Sequence, residues 1–155
     1  LIQPHFDYCC TSWYSGSSAK LKGKLDVLQR KMVRYIYSLD PRSHVGPEHF
    51  KKLHWLSICD RVKYFKLLHV FNVKTGRAPP YVSDVFKSVS DTHSHFTRSS
   101  ISDFYLPNSD ARGSMSHSFL YMTTREWNRL PQGLKQAVNA KVFKVKLHEF
   151  LSSQY

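Results

Sequence analysis

Cations are the residues of this chain whose type and spacing point to chemistry. Lys20, Lys22, Lys24, Arg30, Lys31 and Arg34 crowd one stretch, and aromatic residues are interleaved along the chain. Positive side chains within reach of a phosphate backbone hold it without reading its sequence, and such binding weakens steeply with salt. Exposed Tyr, His or Arg side chains add stacking on unpaired bases. The bland alternative is a basic helix face that is merely solvated. Charge asymmetry argues against it. Residues 1–78 hold 14 Lys+Arg against 5 Asp+Glu, residues 79–155 hold 9 against 6, and the chain is formally +12. A field of that size favours polyanions and exceeds what solubility requires.

Catalytic sets are missing as motifs. There is no Gly-rich phosphate loop, H-E-x-x-H, C-x-x-C or G-x-S-x-G. Phosphoryl transfer through two Mg²⁺ ions needs clustered carboxylates, and the 11 acids include no Asp-Asp or Asp-x-Asp pair. Acids from distant loops can still converge, so an enzyme is disfavoured rather than eliminated. His5, Cys9 and Cys10 supply two or three zinc-ligand types in one stretch. Adjacent cysteines suit a tetrahedral site poorly, no second ligand pair follows at finger spacing, and no metal is expected. Cys9, Cys10 and Cys59 read instead as small buried hydrophobes. Their odd number and adjacency argue against a secreted disulfide framework, and an intracellular setting, cytoplasmic or nuclear, fits. His93 and His95 sit in a Ser-rich stretch and read as solvated loop residues.

The stretch "REWNRLP" (125–131) has the look of a ligand-reading motif, yet no nucleophile, acid pair or metal set is available to join it. Pro131 fixes a turn, Trp127 and Leu130 can bury beside a final helix, and Asn128 can close the corner by bonding to backbone. The four residues read as a structural corner.

The elements that position these groups follow from periodicity. With 155 residues, 41% hydrophobic and 22% charged, the chain suits one globular domain. No apolar run approaches the ~20 residues that span a bilayer. Leu21, Leu25, Leu28, Met32, Ile36 and Leu39 form one helical stripe over 20–39, with Asp40-Pro41 as its stop. A short helix is expected over 46–57 with Pro47 in its first turn, and a long one over 58–75. Its buried face is marked by Ile58, Val62, Phe65 and Leu68, and Gly76 is its stop. A turn or two follow in "APPYVSDVF" (78–86). Ten of residues 88–118 are Ser, so loop is expected there, with "ISDFYLP" (101–107) as one short strand. The last helix is expected over 138–152. Residues 1–16 leave helix and strand equally open. The fold class is mainly α: a small bundle of amphipathic helices with a Ser-rich loop and at most one or two short strands. The first residue is Leu rather than Met, and a fragment of a longer protein is the expectation.

Several stretches share an order with a known family. They are "LDVLQRKMVRYIYSL" (25–39), "LHWLSICDRVKYFKLLHVFNVKTGRAPPYVSDVF" (53–86), "HFTRSS" (95–100) and "SFLYMTTREWNRLPQGLKQAVNAKVFKVKLHEFL" (118–151). Together, with "HFDYCCTSWY" before them, they resemble the C-terminal region of non-LTR (LINE-like, jockey-type) retrotransposon reverse transcriptases. The resemblance covers nearly the whole chain and rests on order and spacing. It implies a region that contains or follows the polymerase thumb, whose helices hold the template–primer duplex. The family's aromatic-x-Asp-Asp motif is absent, so the resemblance implies no catalytic residue here, and Mg²⁺ belongs to the parent polymerase rather than to this chain. Some members of the family carry a Cys/His knuckle further downstream, which the three cysteines here do not match.

The expectation is therefore a non-catalytic piece of an RNA-directed DNA polymerase that touches RNA or an RNA–DNA duplex. Its parts are an upstream packing remnant (1–16), a helical thumb-like region (17–86), the Ser-rich loop (87–118) and a C-terminal corner and helix (119–155). Lys24, Arg30, Lys31, Arg34, Lys63 and Arg98 are the expected backbone contacts; an ion pair with Asp103 is the alternative role for Arg98. Partners are the nucleic acid and the rest of the polymerase, with neither membrane nor small-molecule substrate. The rival expectation is a structural domain that packs on the polymerase core and has no nucleic-acid affinity.

Overall fold

A computed structural model describes residues 3–89, 103–106 and 118–154. The described chain is mainly α, as the periodicity predicts. Its helices are α1 (Gln3–Asp7), α2 (Cys10–Gly16), α3 (Ala19–Ile36), α4 (Pro47–Lys52), α5 (Ile58–Lys74), α6 (Pro80–Ser83), α7 (Phe119–Asn128), α8 (Gln132–Lys135) and α9 (Ala140–Ser152). Among the described residues, extended pairing is limited to one antiparallel bridge between Ser88 and Phe104. The chain forms two compact units, Leu1–Val62 with His148–Tyr155, and Lys63–Leu147.

In the first unit, Ser18 starts α3, its Oγ accepting from the Leu21 N–H at 3.3 Å. The apolar stripe of the sequence is not the buried face of this helix. Met32 is buried and Leu25 half-buried, but Leu21, Leu28 and Ile36 are 45%, 47% and 47% exposed. The buried line runs through Gln29, Met32 and Val33, turned by about 60° from the stripe at 100° per residue. Gln29 explains the rotation. Its Nε2 donates to the Leu56 carbonyl at 2.9 Å, and its Oε1 accepts from the Ile58 N–H at 3.1 Å. Turning the helix to bury Leu21 and Leu28 would strip both bonds, at roughly 1–3 kcal/mol for each buried group orphaned. It would also withdraw Val33 from the cluster it forms with Val45 and Phe50, against which Tyr37, Leu53 and Trp55 pack. The segment 3–16, ambiguous in sequence, forms the two short helices α1 and α2 with a turn at Tyr8-Cys9, and Asp7 of α1 forms a two-pronged ion pair with Arg61 of α5.

Helices α3, α4 and α5 end alike. Ser38, His54 and Gly76 take φ of 51°, 52° and 66°. The next N–H then reaches back five residues: Leu39 to Arg34 O at 2.9 Å, Trp55 to Phe50 O at 2.9 Å, and Arg77 to Asn72 O at 2.8 Å. This is the Schellman closure, which satisfies carbonyls the helix leaves open. Only Gly76 announces it in sequence. Asp40-Pro41, expected to stop α3, come after the closure has ended it.

In the second unit, α5 is buried on more than one face: Lys66, Leu67, Val70, Phe71 and Val73 are all buried, whereas the expected markers Phe65 and Leu68 are half-buried. The aromatic core is a column of rings. Phe71 stacks on Phe143 at 4.2 Å, Phe143 lies 6.0 Å from Trp127, Trp127 meets Phe104 edge-on at 6.2 Å, and Phe104 meets Phe86 at 5.6 Å. Asn128 closes this column onto the extended segment. Phe104 donates its N–H to Asn128 Oδ1 at 3.1 Å, and Asn128 Nδ2 donates to Phe104 O at 2.8 Å. The neighbouring groups bond the other way, Val89 N–H to Asp103 O at 3.2 Å and Tyr105 N–H to Lys87 O at 2.8 Å. An antiparallel strand alternates its bonding sides in this manner, so the Asn128 carboxamide occupies the place of a third strand.

Two stability outcomes follow from this packing. Trp127 is fully buried at the centre of the column, so Trp127→Ala should lower the urea-unfolding free energy by about 3–5 kcal/mol. Nucleic-acid binding, measured on the folded fraction, should be unaffected. Ser38 occupies the left-handed region without glycine's freedom; Ser38→Gly should raise stability by about 1 kcal/mol in the same measurement.

Candidate nucleic-acid interface

Helix α3 places its cations by simple helical arithmetic. Lys20, Lys24 and Lys31 are spaced by four and seven residues, within about 40° of one another around the axis. All three are exposed, and together with Gly23, Val27 and Leu28 they line a shallow depression of about 630 Å³. None makes a salt bridge with a described carboxylate. Tyr35 stands four residues beyond Lys31 on the same side and is 84% exposed. Val27 and Leu28 are 51% and 47% exposed. The face is therefore a row of cations over an apolar floor with an aromatic ring at one end.

The other expected contacts are distributed differently. Arg30 is exposed at the rim of a pocket of about 200 Å³ lined by Asp26, Gln29, Val45, Gly46, Pro47, Phe50, Ser57 and Cys59. Arg34 is half-buried, and its Nε donates to the Ser43 carbonyl at 2.9 Å, which ties it back to the first unit's own backbone. Lys22 turns away, its Nζ 5.0 Å above the Tyr14 ring. Lys63 is half-buried on α5 and belongs to the other unit. Arg98, with "HFTRSS", His93 and His95, lies outside the described residues. Of the residues chosen from sequence, the structure thus brings Lys24 and Lys31 onto one face and adds Lys20. Tyr35 was missed, although its spacing of four from Lys31 and seven from Leu28 carried the signal.

Asp103, the alternative partner for Arg98, accepts from Lys135 Nζ at 2.6 Å. Lys135 has a side chain only 1% exposed and also donates to the Asn128 carbonyl at 2.9 Å. Lys74 donates to the Lys135 carbonyl at 3.0 Å and stands 5.7 Å from the Trp127 ring centre. Burial, then the Lys135 charge, hold the Lys74 ammonium below the usual lysine range. Leu130 is buried and Pro131 exposed, with Pro131 leading into α8 at φ −56°, ψ 141°. The second unit thus uses its best-placed lysines internally, around the corner 127–131.

Among the described residues, no three His, Cys, Asp or Glu side chains gather as metal ligands. His5 and Cys9 are exposed, Cys10 is buried, and burial pushes the Cys10 thiol up. Burial, then the Cys59 thiol, push up the Tyr14 hydroxyl. No described helix is long and apolar enough to cross a membrane. No protein-family model, curated protein or solved structure matches the chain.

Asp26 connects the interface helix to solution pH. Burial raises its carboxyl above the ordinary 3.8, with the Arg30 charge opposing. A carboxyl raised in the folded state contributes stability only while protonated, and that contribution is lost as pH rises through its folded value. Asp26→Asn should therefore raise Tm at neutral pH. The gain should vanish as buffers are taken below 3.8, where the carboxyl is neutral in both states.

Proposed function

We propose that this chain is a non-catalytic, helical C-terminal piece of the RNA-directed DNA polymerase of a non-LTR mobile element, and that α3 contacts the phosphate backbone of RNA or an RNA–DNA duplex. One observation carries the reading: Lys20, Lys24 and Lys31 share one exposed face of α3 and have no described carboxylate partner. The order of motifs along the sequence supports the polymerase assignment, and the charge concentrated in residues 1–78 supports the polyanion. Mg²⁺ chemistry belongs to the parent enzyme, and the setting is intracellular.

The rival reading has α3 packing against the rest of the polymerase. The exposed Leu21, Val27, Leu28 and Ile36 favour it, and it requires no response to salt.

Anisotropy titration of the full chain with a short RNA–DNA hybrid separates the two. Binding in about the micromolar range should weaken by an order of magnitude or more between roughly 50 and 200 mM salt. The double variant Lys24→Gln, Lys31→Gln should bind more weakly and flatten the log–log salt slope by about 2. Undetectable binding at low salt, to the hybrid and to single-stranded RNA alike, overturns the reading in favour of the packing role. For the polymerase assignment, the upstream reading frame should encode an aromatic-x-Asp-Asp motif.

A further inference from the structure

We infer that the exposed face of α3 prefers an unpaired strand to a duplex, with Tyr35 stacking on one base while Lys20, Lys24 and Lys31 hold phosphates; this rests on the nucleic-acid reading above. A duplex presents phosphates outward and hides its base faces, so a face built for duplex has use for cations alone. This face has more than cations. Lys24, Leu28, Lys31 and Tyr35 follow one another at spacings of four, three and four, which puts them on one stripe. Val27 and Leu28 are about half exposed between the lysines, and Tyr35 is 84% exposed. The Tyr35 ring stacks on no other ring among the described residues.

A cationic groove with an aromatic platform is the arrangement that single strands require, because every base offers a π-face and every linkage a charge. From Lys20 to Tyr35 the face runs about 22 Å at 1.5 Å per residue, enough for about four nucleotides, the low end of known single-strand footprints. Gly23 lines the same depression at the flank of Lys20 and Lys24. A Cβ built there would meet nothing within 4 Å, so internal packing places no demand on it, and its lack of a side chain leaves the helix backbone open to a strand beside the lysines. An acidic apolar peptide also complements a row of lysines over an apolar floor. The same ring would serve such a peptide as apolar area, which phenylalanine or leucine supplies as well, whereas base stacking demands the aromatic plane.

The test is anisotropy titration of the full chain with a short single-stranded RNA and with the hybrid duplex of the same sequence. The wild type should bind the single strand about tenfold more tightly. Tyr35→Leu should lose about that factor on the single strand and leave duplex binding unchanged, and Tyr35→Phe should retain it. The salt slope on the single strand should fall by about 0.7 for each of Lys20, Lys24 and Lys31 changed to Gln. Equal affinity for both forms with Tyr35→Leu neutral overturns this inference and leaves the nucleic-acid reading standing. So does a Tyr35→Leu loss of equal size on both forms. Polyglutamate competing as well as RNA of equal charge reduces the face to plain electrostatics and overturns the stacking role. Absence of binding to either form removes both readings.

Discussion

An extended backbone segment beside a helix carries N–H and C=O groups that no helical ladder reaches, and each is costly to bury unpaired. Both compact units meet that constraint with a side-chain carboxamide. Gln29 takes the Leu56 carbonyl and the Ile58 N–H, and Asn128 takes both main-chain groups of Phe104. A carboxamide suits the task because it carries a donor and an acceptor at the spacing of a peptide group. The other features of each unit follow. Gln29 fixes the rotation of α3, and hence which lysines face outward. Asn128 fixes the end of α7 against Phe104, which orders the ring column and brings Asp103 to the buried Lys135.

Where sequence periodicity and side-chain packing agreed, the architecture was legible. The start of α3, the spans of α5 and α9, the Pro47 start of α4 and the Gly76 closure all correspond to signals of period, proline and glycine. The orientation of α3 was not legible. Apolar residues at 21, 25, 28, 32 and 36 define a stripe by count, but one buried glutamine with two long-range bonds outweighs two leucines at the rim. Sequence separations of 27 and 29 residues link Gln29 to its partners, and local periodicity cannot detect such a link. The endings at Ser38 and His54 were illegible for a similar reason. Their left-handed backbone comes from the closure that follows, not from residue type.

The candidate site was legible in composition and illegible in geometry. A count of lysines and arginines gives one class of cation, whereas the fold divides them into several. Lys20, Lys24 and Lys31 remain outward; Arg34 bonds to backbone, Lys22 lies over Tyr14, and Lys135 is enclosed with Asp103. Lys135, buried, is held by an ion pair and a carbonyl, the condition under which an interior charge is tolerated. Net charge alone therefore overstates what is available to a polyanion. The useful quantity is the number of cations on a single face without an internal partner.

The same packing distributes the indoles. The chain has three tryptophans. Trp13 and Trp55 are half-buried in the first unit, and Trp127 alone belongs to the second, fully buried with the Lys74 ammonium 5.7 Å from its ring centre. In a chain whose other two indoles are replaced by phenylalanine, emission excited at wavelengths that tyrosine does not absorb becomes a reporter of the second unit only. The cation above its ring makes that emission sensitive to the state of Lys74. Optical spectroscopy can thus follow the aromatic column separately from the helix that carries the exposed lysines.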